Sequence, residues 1–170
     1  TFVSNHDKNA WDGTQREQFG DALEACIALS VIGEGMPLIH NGQEAGETKR
    51  LAFFERDPIE WQEHPIGELY RELIALKKSK PFLGNGEFGT RMIQVPNSSM
   101  AQVFSFVRQE ERLDDKVFVV INFSDEPITV TFEESLHFGT LQHWKHNQKT
   151  TFSSDTALTL KPWGFEIWHT

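Results

Sequence analysis

The sequence, 170 residues long, is poor in several features that would point directly to a function. Its one cysteine, Cys26, cannot close an internal disulfide, and no Cys/His cluster has zinc-site spacing. A disulfide scaffold and a zinc module are both excluded, while the redox compartment stays open. Basic residues are in the minority: 16 Lys and Arg against 25 Asp and Glu leave a formal net charge of −9. That balance argues against nucleic acid, because phosphate binding needs a concentrated basic face. No apolar run approaches the ~20 residues that cross a bilayer. A glycine-rich phosphate loop is missing, and no Ser/His/Asp set stands out. Tyrosine is nearly absent, at 1 residue against 14 Phe and 5 Trp. That excess suits a β-rich core or a surface that stacks flat ligands such as sugars. The first residue is Thr1 and not Met, inside an apolar, strand-like stretch, so the chain is expected to be an excised piece of something longer.

What is present builds a core. Hydrophobic residues make up 38% of the chain, the share of a globular protein once glycines are added. Its two halves are patterned differently. In the first, Phe2-Val3 reads as the end of a strand and Ser4 to Gly13 as a polar loop. Thr14-Gln15-Arg16-Glu17 matches a capping box, and Phe19, Leu23, Ile27 and Val31 follow at helical spacing until Gly33 and Gly35. Met36 to Ile39 reads as a short buried strand, followed by a long loop from His40 to about His64. Pro65 opens a helix with an apolar stripe through Ile66, Leu69, Tyr70, Leu73, Ile74 and Leu76, closed by Pro81. Strand, helix, strand, helix is the rhythm of a parallel α/β sheet.

Beyond Pro81 the period becomes two. Seven strands are expected: Glu87 to Val95, Ala101 to Val107, Val117 to Phe123, Ile128 to Phe132, His137 to Trp144, Ala157 to Leu160 and Gly164 to Trp168. Turn signals such as Asn85-Gly86, Asp114-Asp115 and Ser124-Asp125 separate them, which indicates an antiparallel sandwich. The expected fold class is thus an α+β chain with domains at 1–82 and 83–170.

Two polar clusters could carry chemistry. Ser4-Asn5-His6-Asp7-Lys8-Asn9 follows a strand, where α/β enzymes place binding and catalytic groups, although a solvated turn would look the same. Asn5, Asp7 and Asn9 alternate as in a calcium loop, but Ala10 stands where that loop needs glycine. His40-Asn41-Gly42-Gln43-Glu44 is the second, open equally to a shared site or a plain turn with Glu44 solvated. The tract from Leu51 through Phe53-Phe54-Glu55-Arg56-Asp57 to Trp61 reads first as a packing anchor for its loop and second as a carbohydrate cleft. His137, His143 and His146 read as surface or strand residues, not ligands.

Phe2-Val3-Ser4-Asn5-His6-Asp7 resembles the fourth conserved region of the α-amylase superfamily, glycoside hydrolase family 13, at the end of the seventh strand of a (β/α)8 barrel. Gly35-Met36-Pro37-Leu38-Ile39 with Asn41-Gly42-Gln43-Glu44 is similar to that family's eighth strand and loop, and Leu69 to Lys77 to its last barrel helix. The seven-strand remainder, ending Pro162-Trp163-Gly164-Phe165-Glu166-Ile167-Trp168, resembles the β-sandwich that follows the barrel. The resemblance implies residues 1–82 as βα units seven and eight of a TIM barrel and 83–170 as the C-terminal antiparallel β-sandwich. It implies the C-terminal segment of a retaining hydrolase acting on α-glucans or maltodextrins, inactive alone because the nucleophilic Asp and the acid/base Glu would precede Thr1.

Residue by residue, the resemblance implies Asp7 as the carboxylate that stabilises the transition state and binds sugar hydroxyls. His6 is implied as a second substrate-binding group, and Asn5 as the residue that orients the loop. No metal ligand and no cofactor are expected in the segment, calcium being left to the intact enzyme. Expected partners are an α-glucan or maltooligosaccharide and the rest of the barrel, without nucleic acid or membrane, and the isolated segment is expected to dimerise or swap. His40 departs from the Tyr that many relatives place before Asn-Gly. The rival reading is a non-catalytic barrel relative or a carbohydrate-binding sandwich module.

Overall fold

A computed structural model describes residues 1–110 and 115–170, so the expected turn at Asp114-Asp115 lies partly outside the described residues. The chain divides into two units, Thr1–Ser79 and Lys80–Thr170.

In the first unit the capping box forms: Thr14 Oγ1 accepts from the Glu17 N–H at 3.2 Å, and a Glu17 carboxylate oxygen accepts from the Thr14 N–H at 2.7 Å. The helix it opens is shorter than its apolar spacing suggests. α1 (Gln15–Phe19) ends at Gly20, whose φ of +52° lies in the left-handed region, and a 3-10 turn (Gly20–Ala22) leads into α2 (Leu23–Ile32). α2 is buried on nearly every side, and it stops at Gly33, where a Cβ would meet Leu29 O at 2.5 Å. α3 (Pro65–Ser79) buries Ile66, Leu69, Tyr70, Leu73 and Leu76 and packs against α2.

The two strands expected here are not formed as strands. Phe2-Val3 and Met36 to Ile39 are irregular, and Met36 and Leu38 are exposed instead of buried. What remains of pairing is two hydrogen bonds flanking one residue: the Thr1 amino group donates to Met36 O and the Leu38 N–H donates to Thr1 O, each at 2.9 Å. That is the bonding pattern of a parallel ladder, reduced to one rung. A single rung leaves both segments without a continuous partner: Phe2, Met36 and Leu38 are exposed, and only Val3 is buried.

Among the described residues the second unit holds eight strands: β1 (Ile93–Gln94), β2 (Val103–Gln109), β3 (Lys116–Asn122), β4 (Ile128–Thr131), β5 (Gly139–His143), β6 (Lys149–Phe152), β7 (Ala157–Leu160) and β8 (Phe165–His169). One sheet runs β1-β2-β3-β8-β5-β6, the other is β4-β7, and every described pairing is antiparallel. Val103, Val107, Phe118, Val120, Val130, Phe132, Leu141, Phe152, Leu160 and Trp168 are among the buried side chains of one hydrophobic cluster drawn from both sheets. This is the antiparallel sandwich that the period-two pattern indicates.

The details differ from the sequence pattern at both ends of the large sheet. The strand expected over Glu87 to Val95 is mostly a folded loop, with a 3-10 turn at Gly86–Phe88 and only Ile93–Gln94 paired. Gly84 and Gly89 let the loop close on itself, since a Cβ on Gly89 would lie 1.9 Å from Gly84 O. The fully buried Arg108 locks it: its guanidinium donates to Phe82 O at 3.3 Å and Gly84 O at 2.9 Å, and its Nε donates to Thr90 O at 3.0 Å. β6 has no counterpart in the hydrophobic pattern, because Lys149, Thr150 and Thr151 are polar and only Phe152 is buried. It forms as an edge strand instead, with Thr151 Oγ1 bonded to Thr140 Oγ1 at 2.9 Å across the pair.

His137 is not a surface or strand residue. It is fully buried, outside β5, with ring centroids 5.1 Å from Phe118 and Phe132 and 4.9 Å from Phe138. Neither ring nitrogen has a hydrogen-bond partner among the described residues. Burial, with the Lys116 ammonium nearby, pushes its pKa down to about 4.

Two consequences are measurable. Arg108→Met should cost about 3 kcal/mol in chemical denaturation, because buried carbonyls lose a charged donor. In the unfolded chain His137 takes up its proton near the ordinary pKa of 6.5, whereas folding holds it near 4. The unfolded state therefore binds more protons in that window, and stability is complete above about pH 6.5 and falls as pH drops towards 4. His137→Leu should remove about 2 kcal/mol of the stability lost between about pH 7 and pH 4.5, read as the difference between the two proteins at each pH.

Candidate functional site

The polar loop after Ser4 is a helical turn held from inside. Val3 and Ser4 are buried at its start. The Asn5 side-chain oxygen accepts from the Lys8 N–H at 2.8 Å, and Asn5 O accepts from the Asn9 N–H at 2.9 Å. Lys8–Asp12 then continues as a wide turn closed by the Gly13 N–H on Lys8 O at 3.0 Å. This geometry turns His6 and Asp7 outwards. Their side chains are 70% and 59% exposed, and His6 Nε2 lies 3.7 Å from an Asp7 carboxylate oxygen. Lys8, next along, pairs with Asp12, which raises its pKa.

The loop is not free-standing. Asn9, buried, spends its amide on the tract that follows residue 48: its Nδ2 donates to Lys49 O at 3.3 Å and its Oδ1 accepts from the Leu51 N–H at 2.8 Å. Arg50 adds a two-pronged bond to Glu17 at 3.0 and 3.2 Å, and that guanidinium, with the Thr14 N–H, holds the Glu17 pKa down at about 2. Lys49 and the Ala52 N–H both bind Asp57, at 2.6 and 2.9 Å, and lower its pKa.

Tethered in this way, the tract places Phe53 on His6, with ring centroids 5.7 Å apart and planes 30° apart. Trp11 lies 5.4 Å from Phe53, and Phe54 lies 4.8 Å from it. The tract does anchor its loop, but through polar groups. Its aromatics are not buried packing residues, since Phe54 is 81% and Trp61 61% exposed, and Phe53 and Phe54 meet the equally exposed Trp11 at the surface. Together with His6 they form an open aromatic ledge.

The second cluster is tied to the helices by one buried amide. Gln43 donates from Nε2 to Gln15 Oε1 at 3.1 Å and to the Tyr70 hydroxyl at 3.2 Å, and accepts the His40 N–H at 2.5 Å. Gln15 returns a bond to Gln43 O at 3.1 Å. α1, the 40–44 turn and α3 thereby share one network. Burial, and secondarily the Glu44 carboxylate, push the Tyr70 phenol up. Glu44 itself is half-buried and not the solvated end of a plain turn. At His40, burial and then the nearby His6 lower the pKa, while Glu44 acts in the opposite sense. His6, His40 and Glu44 therefore share one electrostatic neighbourhood. Among the described residues, no group of three or more His, Cys, Asp or Glu is arranged to hold a metal ion. Trp11 is not singled out by the sequence pattern, Gln15 enters it only within the capping box, and Asn9 only as a member of the Ser4-to-Asn9 cluster and of the Asn5/Asp7/Asn9 alternation, without its anchoring role.

No protein-family model matches the chain. Alpha-amylase 2 of Dictyoglomus thermophilum is 27% identical over 139 residues, which is 74% of this chain and 23% of that protein. A maltogenic alpha-amylase from Thermotoga neapolitana shares the fold with a TM-score of 0.80 at 20% identity, over 100% of this chain and 40% of that one. The trehalulose synthase MutB does so with a TM-score of 0.66 at 16% identity, over 100% of this chain and 43% of its own. The chain thus spans about a quarter of the curated relative and less than half of each of these two structures. The resemblance to the α-amylase superfamily read from the motifs holds.

The electrostatic neighbourhood can be read by NMR. His40 should titrate below the ordinary histidine midpoint. His6→Asn should move that midpoint up, and Glu44→Gln should move it further down. Insensitivity to both substitutions would separate His40 from the other two.

Proposed function

We propose that this relative of the α-amylase-family glycoside hydrolases is the C-terminal part of a retaining α-glucoside hydrolase acting on α-glucans or maltodextrins. Residues 1–82 supply βα units seven and eight of its barrel, and residues 83–170 its β-sandwich. The motif order along the chain supports this reading, as does the parallel rung between Thr1 and the Met36–Leu38 segment, with α2 packed on α3. The observation that carries it is the outward-facing His6–Asp7 pair beside an aromatic ledge.

In this reading Asp7 accepts hydrogen bonds from ring hydroxyls. Its negative charge also favours the positive charge that develops at the anomeric carbon, so it binds the transition state better than the ground state. His6 offers a nitrogen to the same hydroxyls, while Asn5 and Asn9 hold the turn that carries both. Phe53 and Trp11 give a sugar ring an apolar face to lie on. Retention of configuration needs two further carboxylates about 5 Å apart across the scissile bond. Those belong to barrel units outside residues 1–170, so the segment alone is inactive.

The test is made in the longer protein. Asp7→Asn should lower kcat on maltooligosaccharides by about 100-fold or more, with an unchanged melting temperature. An unchanged kcat would remove Asp7 from the reaction, and hydrolysis by residues 1–170 alone would refute the division of the machinery.

A further inference from the structure

The sandwich unit carries a cleft of about 540 Å³ that plays no part in the site above. It opens where β5 passes into the turn before β6, beside the start of β8, and its walls include Trp144, Phe165, His146 and Glu166. The Trp144 and Phe165 rings, both half-buried, lie 6.0 Å apart at 39°. The Lys145 ammonium sits 4.8 Å from the Trp144 ring centroid, over the face of the indole.

The polar groups of this cleft are held in place. His143, buried, accepts the Lys145 N–H at Nδ1 (3.2 Å), so its Nε2 carries the hydrogen and donates to a Glu166 carboxylate oxygen at 2.8 Å. His146 lies parallel to the His143 ring, 4.8 Å away and 9° from coplanar. A carboxylate is therefore oriented by a buried histidine, beside two aromatic walls and an exposed imidazole.

Charge decides the kind of ligand. An anion would meet Glu166, and a cation would meet Lys145. A neutral ligand with several hydroxyls suits a site that offers carboxylate, imidazole, the Gln148 amide and Thr150 at once, and aromatic walls suit one with an apolar face. A pyranose has both properties. We propose that this cleft is a binding site for a pyranose unit of a polysaccharide, separate from the His6–Asp7 pair. That the polysaccharide is an α-glucan rests on the function proposed above; that the ring is a pyranose does not.

The experiment titrates the full 170-residue chain with maltoheptaose and, separately, cellohexaose, by calorimetry and by the NMR signals of His143 and His146. Maltoheptaose should bind with a Kd near ~1 mM or tighter and shift both histidines. Trp144→Ala and the size-conserving Glu166→Gln should each weaken binding by about 10-fold or more, a change of ~1.4 kcal/mol, at an unchanged melting temperature. Binding of cellohexaose alone would uphold the pyranose site and count against the α-glucan reading. No binding of either sugar at ~10 mM would overturn the site, as would binding that survives both cleft substitutions or leaves the His143 and His146 signals unmoved.

Discussion

The candidate site in the first unit depends on one buried amide. Asn9 is the residue through which the turn carrying His6 and Asp7 is bonded to the backbone of Lys49 and Leu51. Those bonds, with the Arg50–Glu17 pair, hold the stretch before Phe53 to the first loop and helix, and the tract from His40 to His64 has no helix or strand of its own to do so. An Asn is suited to the task, since its side chain donates and accepts at once and can satisfy a carbonyl and an N–H of the same segment. Burial strengthens the arrangement: an unmade bond there would leave a desolvated polar group. The ion pairs of Arg50 with Glu17 and Lys49 with Asp57 surround this anchor on exposed ground, where each contributes little by itself.

The second unit uses buried polarity in two opposite ways. Arg108 is a fully buried cation whose guanidinium donates to the Phe82, Leu83, Gly84 and Thr90 carbonyls, and two glycines let that loop come close enough. His137 is a fully buried base among phenylalanine rings, tolerated only because it stays neutral. One group ties irregular backbone to the sheet, and the other makes the sandwich core sensitive to acid.

Periodic apolar spacing made α3 and the strand pattern of the sandwich legible in the sequence, and the capping box marked the start of α1. What escaped was decided by backbone conformation and by solvent. Gly20 breaks a helix whose apolar spacing runs straight through it, and β6 is an edge strand with one buried side chain. Met36 to Ile39 has the composition of a buried strand, yet it meets a single rung from Thr1 and stays open. At the site, His6, Asp7 and Asn5 were visible as a motif. Trp11 was not, and Asn9 stood in the same cluster without a legible task, because a loop residue's partner depends on where the chain returns, and sequence spacing says nothing about a return of 40 residues.

The central claim is that Asp7 and its neighbours face a sugar. A crystal structure of the longer protein with a maltooligosaccharide bound tests it directly. The account predicts a glucose ring with its hydroxyls about 2.7 Å from the Asp7 carboxylate and within reach of His6, beside the Phe53 ledge. An occupied barrel in which Asp7 contacts only protein or water would contradict it.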